Sequence, residues 1–192
     1  GIMKIWAGIG SWEIPDSWND HIEVGESISG TILFQPFNLM QNVISLNSVE
    51  HLGGSIIEIQ GKVETLNDHF FILDVGTNLL SPSPPYAWMY EKHTLEGFGQ
   101  ATLQMSDNFE THIPNYRITG LWSDFQFFSK LRNMENKPIH HGSRAPSLVR
   151  AIRKLNQENP SKSLKSTNDS KTKGPVDHFC LELEPLDDLA ER

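Results

Sequence analysis

The chain of 192 residues has a single cysteine, Cys180, so no internal disulfide framework can form and packing and hydrogen bonds must hold the fold. No stretch approaches the ~18 consecutive apolar residues that cross a membrane, and nothing near the start has the apolar centre of a secretion signal. A cytoplasmic protein with no membrane attachment is therefore expected. Gly1 and Ile2 precede Met3 and read as an expression scar, so the native chain is expected to begin at Met3. The sequence also lacks a nucleophile elbow, a phosphate loop, a dinucleotide fingerprint and a metallohydrolase motif. No catalytic residue, metal ligand or cofactor is expected.

Positive charge is scarce over most of the chain. Residues 1–129 carry 4 Lys/Arg against 15 Asp/Glu, residues 130–173 carry 11 against 3, and residues 174–192 carry 1 against 6, for a net charge of −8. The chain thus divides into an acidic body, a basic arm and an acidic tail, which is an argument about partners and not about fold. Its length suits one core with an appendage, and an apolar content of 38% leaves part of the chain without enough apolar surface to pack.

The body reads mainly as strands. Residues 28–34, 55–66 and 70–75 are rich in β-branched and aromatic residues and are bounded by Gly, Asn, Asp or Pro. Asn67 and Asp68 separate the last two at hairpin length, which predicts an antiparallel pair. A small pattern recurs as Ile28-x-Gly30-x-Ile32, Ile59-x-Gly61-x-Val63 and Ile118-x-Gly120-x-Trp122. Glycine weakens a strand unless the sheet bends sharply or another backbone comes close, so the three glycines predict a strongly curved sheet or a small barrel, an oligonucleotide-binding (OB-like) barrel being one form.

Beyond Trp122 the period changes. Ser123-x-x-Gln126 has capping-box form, with Phe127, Phe128, Leu131 and Met134 at helical spacing after it. Pro146 is followed by Leu148, Val149, Ile152 and Leu155 at the same spacing, with Arg150, Arg153 and Lys154 off that face, and Arg150 and Lys154 expected in solvent. Two amphipathic helices packed on the sheet are expected. Residues 157–175 are Ser/Lys/Asn-rich, with Leu164 their only large aliphatic side chain, and read as a flexible basic linker. In 176–192, Phe179, Leu181 and Leu183 alternate with His178, Cys180 and Glu182, the pattern of a half-buried strand able to dock on a sheet edge.

The expected architecture is α+β: one domain over 3–156, with β part 3–122 and helical part 123–156, then the linker and an acidic docking strand or tail. Candidate ligand- or partner-binding residues are Tyr86, Trp88 and Tyr90, which alternate after the Pro-rich loop 81–85, and the basic Arg150, Arg153 and Lys154. The aromatic row has a plain alternative as the rim of the core, and the basic residues as a solubilising face. His140-His141 reads as part of a turn, because adjacent side chains on extended backbone diverge. His178 and Cys180 could share a strand face as base and thiol, yet lack a third orienting group. Carboxylates such as Asp74, Asp107, Glu110 and Asp124 are too many for spacing to single out a pair.

The reading that follows is a non-catalytic binding module whose acidic face engages a basic protein, in the manner of a bacterial immunity or inhibitor protein. The alternative is a nucleic-acid-binding OB-like barrel that uses the aromatic row and the basic arm. A hydrolase with an unfamiliar site is the third reading.

Overall fold

A computed structural model describes residues 3–10, 14, 21–66, 68, 70–105, 144–155, 163–169 and 178–186. Its frame is a pair of long strands. β1 (Ile5–Gly10) comes first in the chain, and β2 (Ser27–Gln41) runs antiparallel to the later β7 (Thr94–Gln104) from Thr31↔Gln104 to Gln41↔Leu95, with a bulge between Pro36 and Asn38. Between them lie β3 (Ser48–Gly53), β4 (Ile56–Leu66), β5 (Phe71–Asp74) and β6 (Asn78–Ser81). After β7 come β8 (Arg144–Leu155), β9 (Ser163–Leu164) and β10 (His178–Pro185). The described strands form one large, curved ten-stranded sheet, and no α-helix occurs among the described residues.

Hydrogen-bonded pairing closes on itself twice. β4, β5, β6, β2 and β7 form one circuit, in which β6 runs parallel to β2 at Ile32 and Leu33. A second passes through β2, β8, β10, β1 and back to β7 by the parallel contact Gly8↔Thr102. The β2–β7 pair belongs to both, because the other edge of β2 meets β8 over Ser27–Thr31 and β6 just beyond. Inward-facing Ile57, Ile59, Leu73, Leu79 and Leu95 of the first circuit and Ile5, Ala7, Val149, Ile152, Leu181 and Leu183 of the second join in one buried apolar cluster.

Two of the recurrent glycines sit where backbones crowd. A Cβ on Gly30 would lie 2.5 Å from the Gln104 carbonyl oxygen, and one on Gly61 would collide with the Asp74 carbonyl and come within 2.9 Å of Val75 Cγ1. The curvature brings a neighbouring strand over each position, as the pattern predicted. Gly120 lies outside the described residues. The expected antiparallel pair is also present, as β4 and β5 pair from Lys62↔Asp74 to Leu66↔Phe71.

The expected second helix is a strand. β8 pairs with β10, but the register shifts there: Ala151 stands opposite Glu182 and Val149 opposite Leu183, leaving Arg150 as an extra residue. The bulge lets Val149 and Ile152, three residues apart, both face the core, so a bulged strand reproduces the spacing of a helix face. Beyond it alternation resumes and carries Lys154 inward opposite Phe179, at only 9% exposure, where solvent was expected. The first expected helix, after Ser123, lies outside the described residues.

Within the stretch read as a linker, 163–169 is tied to the body. β9 pairs with β8 through Leu164↔Ile152, Val24 N donates to the Lys165 carbonyl at 2.8 Å, and the short 3-10 turn Thr167–Asp169 begins with Thr167 N bound to the Ile22 carbonyl at 2.9 Å. Leu164, the one large aliphatic side chain of that stretch, is the buried anchor. The tail segment β10 does not extend a sheet edge. It lies between β1 and β8, paired on both sides, with Phe179, Cys180, Leu181 and Leu183 buried.

Two outcomes follow for stability. Gly30→Val and Gly61→Val should each cost about 1 to 3 kcal/mol or more, seen as a lowered urea midpoint, because the obstructing atoms are backbone. Deleting 176–192 removes an interior strand, and amide exchange on β1 and β8 should lose its protection together with cooperative unfolding; retained protection would show that β10 is dispensable.

Candidate functional site

Alternation fixes what the outside of the first circuit presents. Buried Ile57 and Ile59 of β4 face inward, so Glu58 and Gln60 face outward, and the same rule turns Glu50 of β3 and Glu96 and Phe98 of β7 to that surface. Register then aligns them across four strands. One row runs Glu50, Glu58, Phe98 and Asn38, and the next runs Ser48, Gln60, Glu96 and Met40. Phe37, displaced by the β2 bulge, meets Phe98 edge-on with ring centroids 6.1 Å apart, and the two rings and Met40 are all exposed.

Two features of this face work against the fold's own stability. Glu50 and Glu58 stand directly opposite each other, and like charges in that position are destabilising. Among the described residues the one cation on this side of β4 is Lys62, in the row of Asp74 and Thr94 and so apart from the Glu50–Glu58 row. Beside the carboxylates lie exposed aromatic and thioether side chains that gain nothing from water.

The face continues into the β2–β3 connection, 42–47. Val43, at 94% exposure, Ile44 and Leu46 all project into solvent. Asn42 holds this loop with every polar group it has. Its N–H donates to the Thr94 carbonyl at 3.0 Å, its carbonyl accepts from Thr94 Oγ1, its Nδ2 donates to Glu96 Oε2 at 3.1 Å, and its Oδ1 accepts from Ile44 N at 3.0 Å.

The residues singled out from sequence sit elsewhere. Tyr86 and Trp88 are half-buried against the core, and the chain turns there, with Met89 N bonded to the Tyr86 carbonyl. Their rings join a chain of contacts: Phe71 to Tyr86 at 6.5 Å, Tyr86 to Trp88 at 5.9 Å, and Trp88 edge-on to His93 at 5.4 Å. Exposed Tyr90 also stacks on His93, at 4.1 Å. His93 is itself buried, with Nδ1 3.0 Å from the Trp88 carbonyl and Nε2 unpartnered. Trp88 and Tyr90 thus both pack on one histidine at the β6–β7 connection, and Tyr86 reaches it only through Trp88.

The basic residues belong to the second circuit. Arg150, on the bulge, binds Glu184 Oε2 through Nε at 2.5 Å. Arg153 lies 4.7 Å over the Trp6 ring, and the His51 imidazole also stacks on Trp6, at 4.7 Å and 15°. His51 in turn donates from Nε2 to the Gly54 carbonyl at 2.7 Å. Arg150 and Arg153 thus have partners other than the aromatic cluster, which contacts Phe71 of β5.

His178 and Cys180 are on one side of β10, but the thiol is buried and its pKa is pushed up to about 12 by desolvation, which the nearby Arg153 charge only partly opposes. A nucleophilic cysteine needs the thiolate, so this site is the reverse of an activated one. Because the folded-state value lies above the ordinary value of 9.0, the stability linked to this group is complete below pH 9 and is lost as pH rises towards 12. Native protein should resist iodoacetamide at pH 8 and 9 and react only on unfolding, and Cys180→Ala should flatten the fall of the thermal midpoint above pH 9. Rapid alkylation of the native protein at pH 8 would contradict this burial.

Among the described residues no three His, Cys, Asp or Glu side chains gather as a metal site, and no helix is long and apolar enough to cross a membrane. The chain matches no protein-family model, no curated protein and no solved structure.

Proposed function

We propose that the protein is a non-catalytic binding module whose acidic face engages a basic protein partner, as an immunity or inhibitor protein of a bacterial toxin does in the cytoplasm. The observation that carries this reading is the direct opposition of Glu50 and Glu58 beside exposed Phe98 and Phe37. A pairing that costs the isolated fold stability makes sense where a partner supplies the missing cations. The carboxylates would steer encounter and set register, while Phe37, Phe98 and Met40 form the apolar centre that sets the dissociation rate.

The same placements favour a protein over a nucleic acid. Trp88 and Tyr90 pack on His93, Arg150 is ion-paired with Glu184, and Arg153 is stacked on Trp6, so among the described residues these groups are engaged with one another rather than set out for bases and phosphates. On the finer reading of the fold, the two circuits are small barrels fused along β2 and β7, with the binding face on the outer wall of the first.

The test pairs stability with capture. Glu58→Gln should raise stability by about 0.5 kcal/mol, since it relieves a like-charge pair, and weaken partner binding. Glu50→Lys combined with Glu58→Lys and Glu96→Lys should abolish salt-sensitive retention of a basic protein from a bacterial lysate. Retention that nuclease treatment removes, or that survives the triple reversal, would refute the acidic-face reading.

A further inference from the structure

The β2–β3 loop, 42–47, is unusual on two counts. Loops at the surface are ordinarily polar, yet here Val43, Ile44 and Leu46 are all exposed. Such a loop is ordinarily loose, yet this one is fastened at its start by the four hydrogen bonds of Asn42. At its other end Asn47 lies against the β5–β6 turn, where a Cβ placed on Gly76 would be 3.9 Å from Asn47 Cβ. A fold that devotes one asparagine to holding three aliphatic side chains in water has already met the ordering cost that a binding loop otherwise meets on association.

Building on the acidic-face reading, we propose that loop 42–47 is a preformed anchor which seats Val43, Ile44 and Leu46 against an apolar surface flanked by lysine or arginine side chains on a protein partner. Position and charge identify the occupant. Asn42 hydrogen-bonds Glu96, and Met40 stands beside Glu96 in the same row, so the loop and the acidic face are one continuous surface. Whatever covers the three aliphatics also lies over Glu96 and within reach of Glu58 and Glu50. A second copy of the chain would bring the same carboxylates into opposition, and an anionic lipid surface would be repelled by them. A basic protein surface with an apolar centre satisfies both halves of the patch.

The experiment uses the full chain, labelled with 15N, and two synthetic probes of equal charge: a peptide of alternating leucine and lysine, and an oligolysine. The alternating peptide should shift the amides of 43–46 together with those around Glu58 and Glu96, and bind at least about tenfold more tightly than oligolysine, which should shift only the acidic face. Val43→Ser combined with Ile44→Ser and Leu46→Ser alters only exposed side chains; it should remove that advantage and leave oligolysine binding unchanged. Asn42→Ala should keep the face and loosen the loop, weakening the alternating peptide alone. Should the two peptides bind wild type equally, or the serine variant bind the alternating peptide as wild type does, the anchor is overturned while the acidic face stands. If neither peptide shifts any amide on the face, the acidic-face reading itself fails. Binding to phosphatidylglycerol vesicles through Val43, or dimerisation in sedimentation equilibrium that the serine variant abolishes, would also overturn the anchor by assigning the loop another occupant.

Discussion

The pairing of β2 with β7 is the constraint on which everything else depends. Each of these strands is too long for one circuit, so each changes its second neighbour part-way, β2 from β8 to β6 and β7 from β4 to β1. Continuous backbone thereby passes from one circuit to the next, and the apolar interior on either side forms one cluster. The crowding at Gly30 and Gly61 is the local cost of bending a sheet so tightly, and only a residue without a side chain meets it cheaply. The bulge at Pro36–Asn38 in the same pair turns Phe37 out to meet Phe98. A device of the fold has thus placed the aromatic centre of the proposed interface.

Legibility in the sequence tracked how local each determinant was. The β4–β5 hairpin rests on two short β-rich runs and an Asn-Asp junction, all within reach of a pattern search, and the need for glycine at Gly30 and Gly61 showed in a repeated motif. The strand character of β10 showed in the alternation of Phe179, Leu181 and Leu183. β1 escaped notice because it is buried on both faces and so does not alternate. β8 has the spacing of a helix because one extra residue, Arg150, converts a period of two into an apparent step of three, and periodicity alone cannot separate a bulged strand from a helix turn.

The candidate site was legible only as a total. The small number of cations over residues 1–129 signalled an acidic surface, but no local pattern says that Glu50 faces Glu58, since that depends on the register of β3 with β4. Val43, Ile44 and Leu46 resemble a short buried strand, and their exposure follows from the bonds of Asn42 to Thr94 and Glu96, about 50 residues away. The aromatic row has the spacing of one face of a strand, yet the chain turns at Tyr86–Met89 and sets Trp88 and Tyr90 against His93.

The position of β10 has a consequence in time. Ile5 pairs with Leu183, and the strand that lies between β1 and β8 leaves the ribosome after both of the strands it pairs with. Until it emerges, β1 has one edge without its partner and the second circuit stays open, while β4, β5 and their neighbours can already pair. Closure of the long loop between Ile5 and Leu183 slows that pairing. A product truncated before β10 would therefore present unpaired β1 and β8 edges, and only a chain that includes β10 carries both circuits.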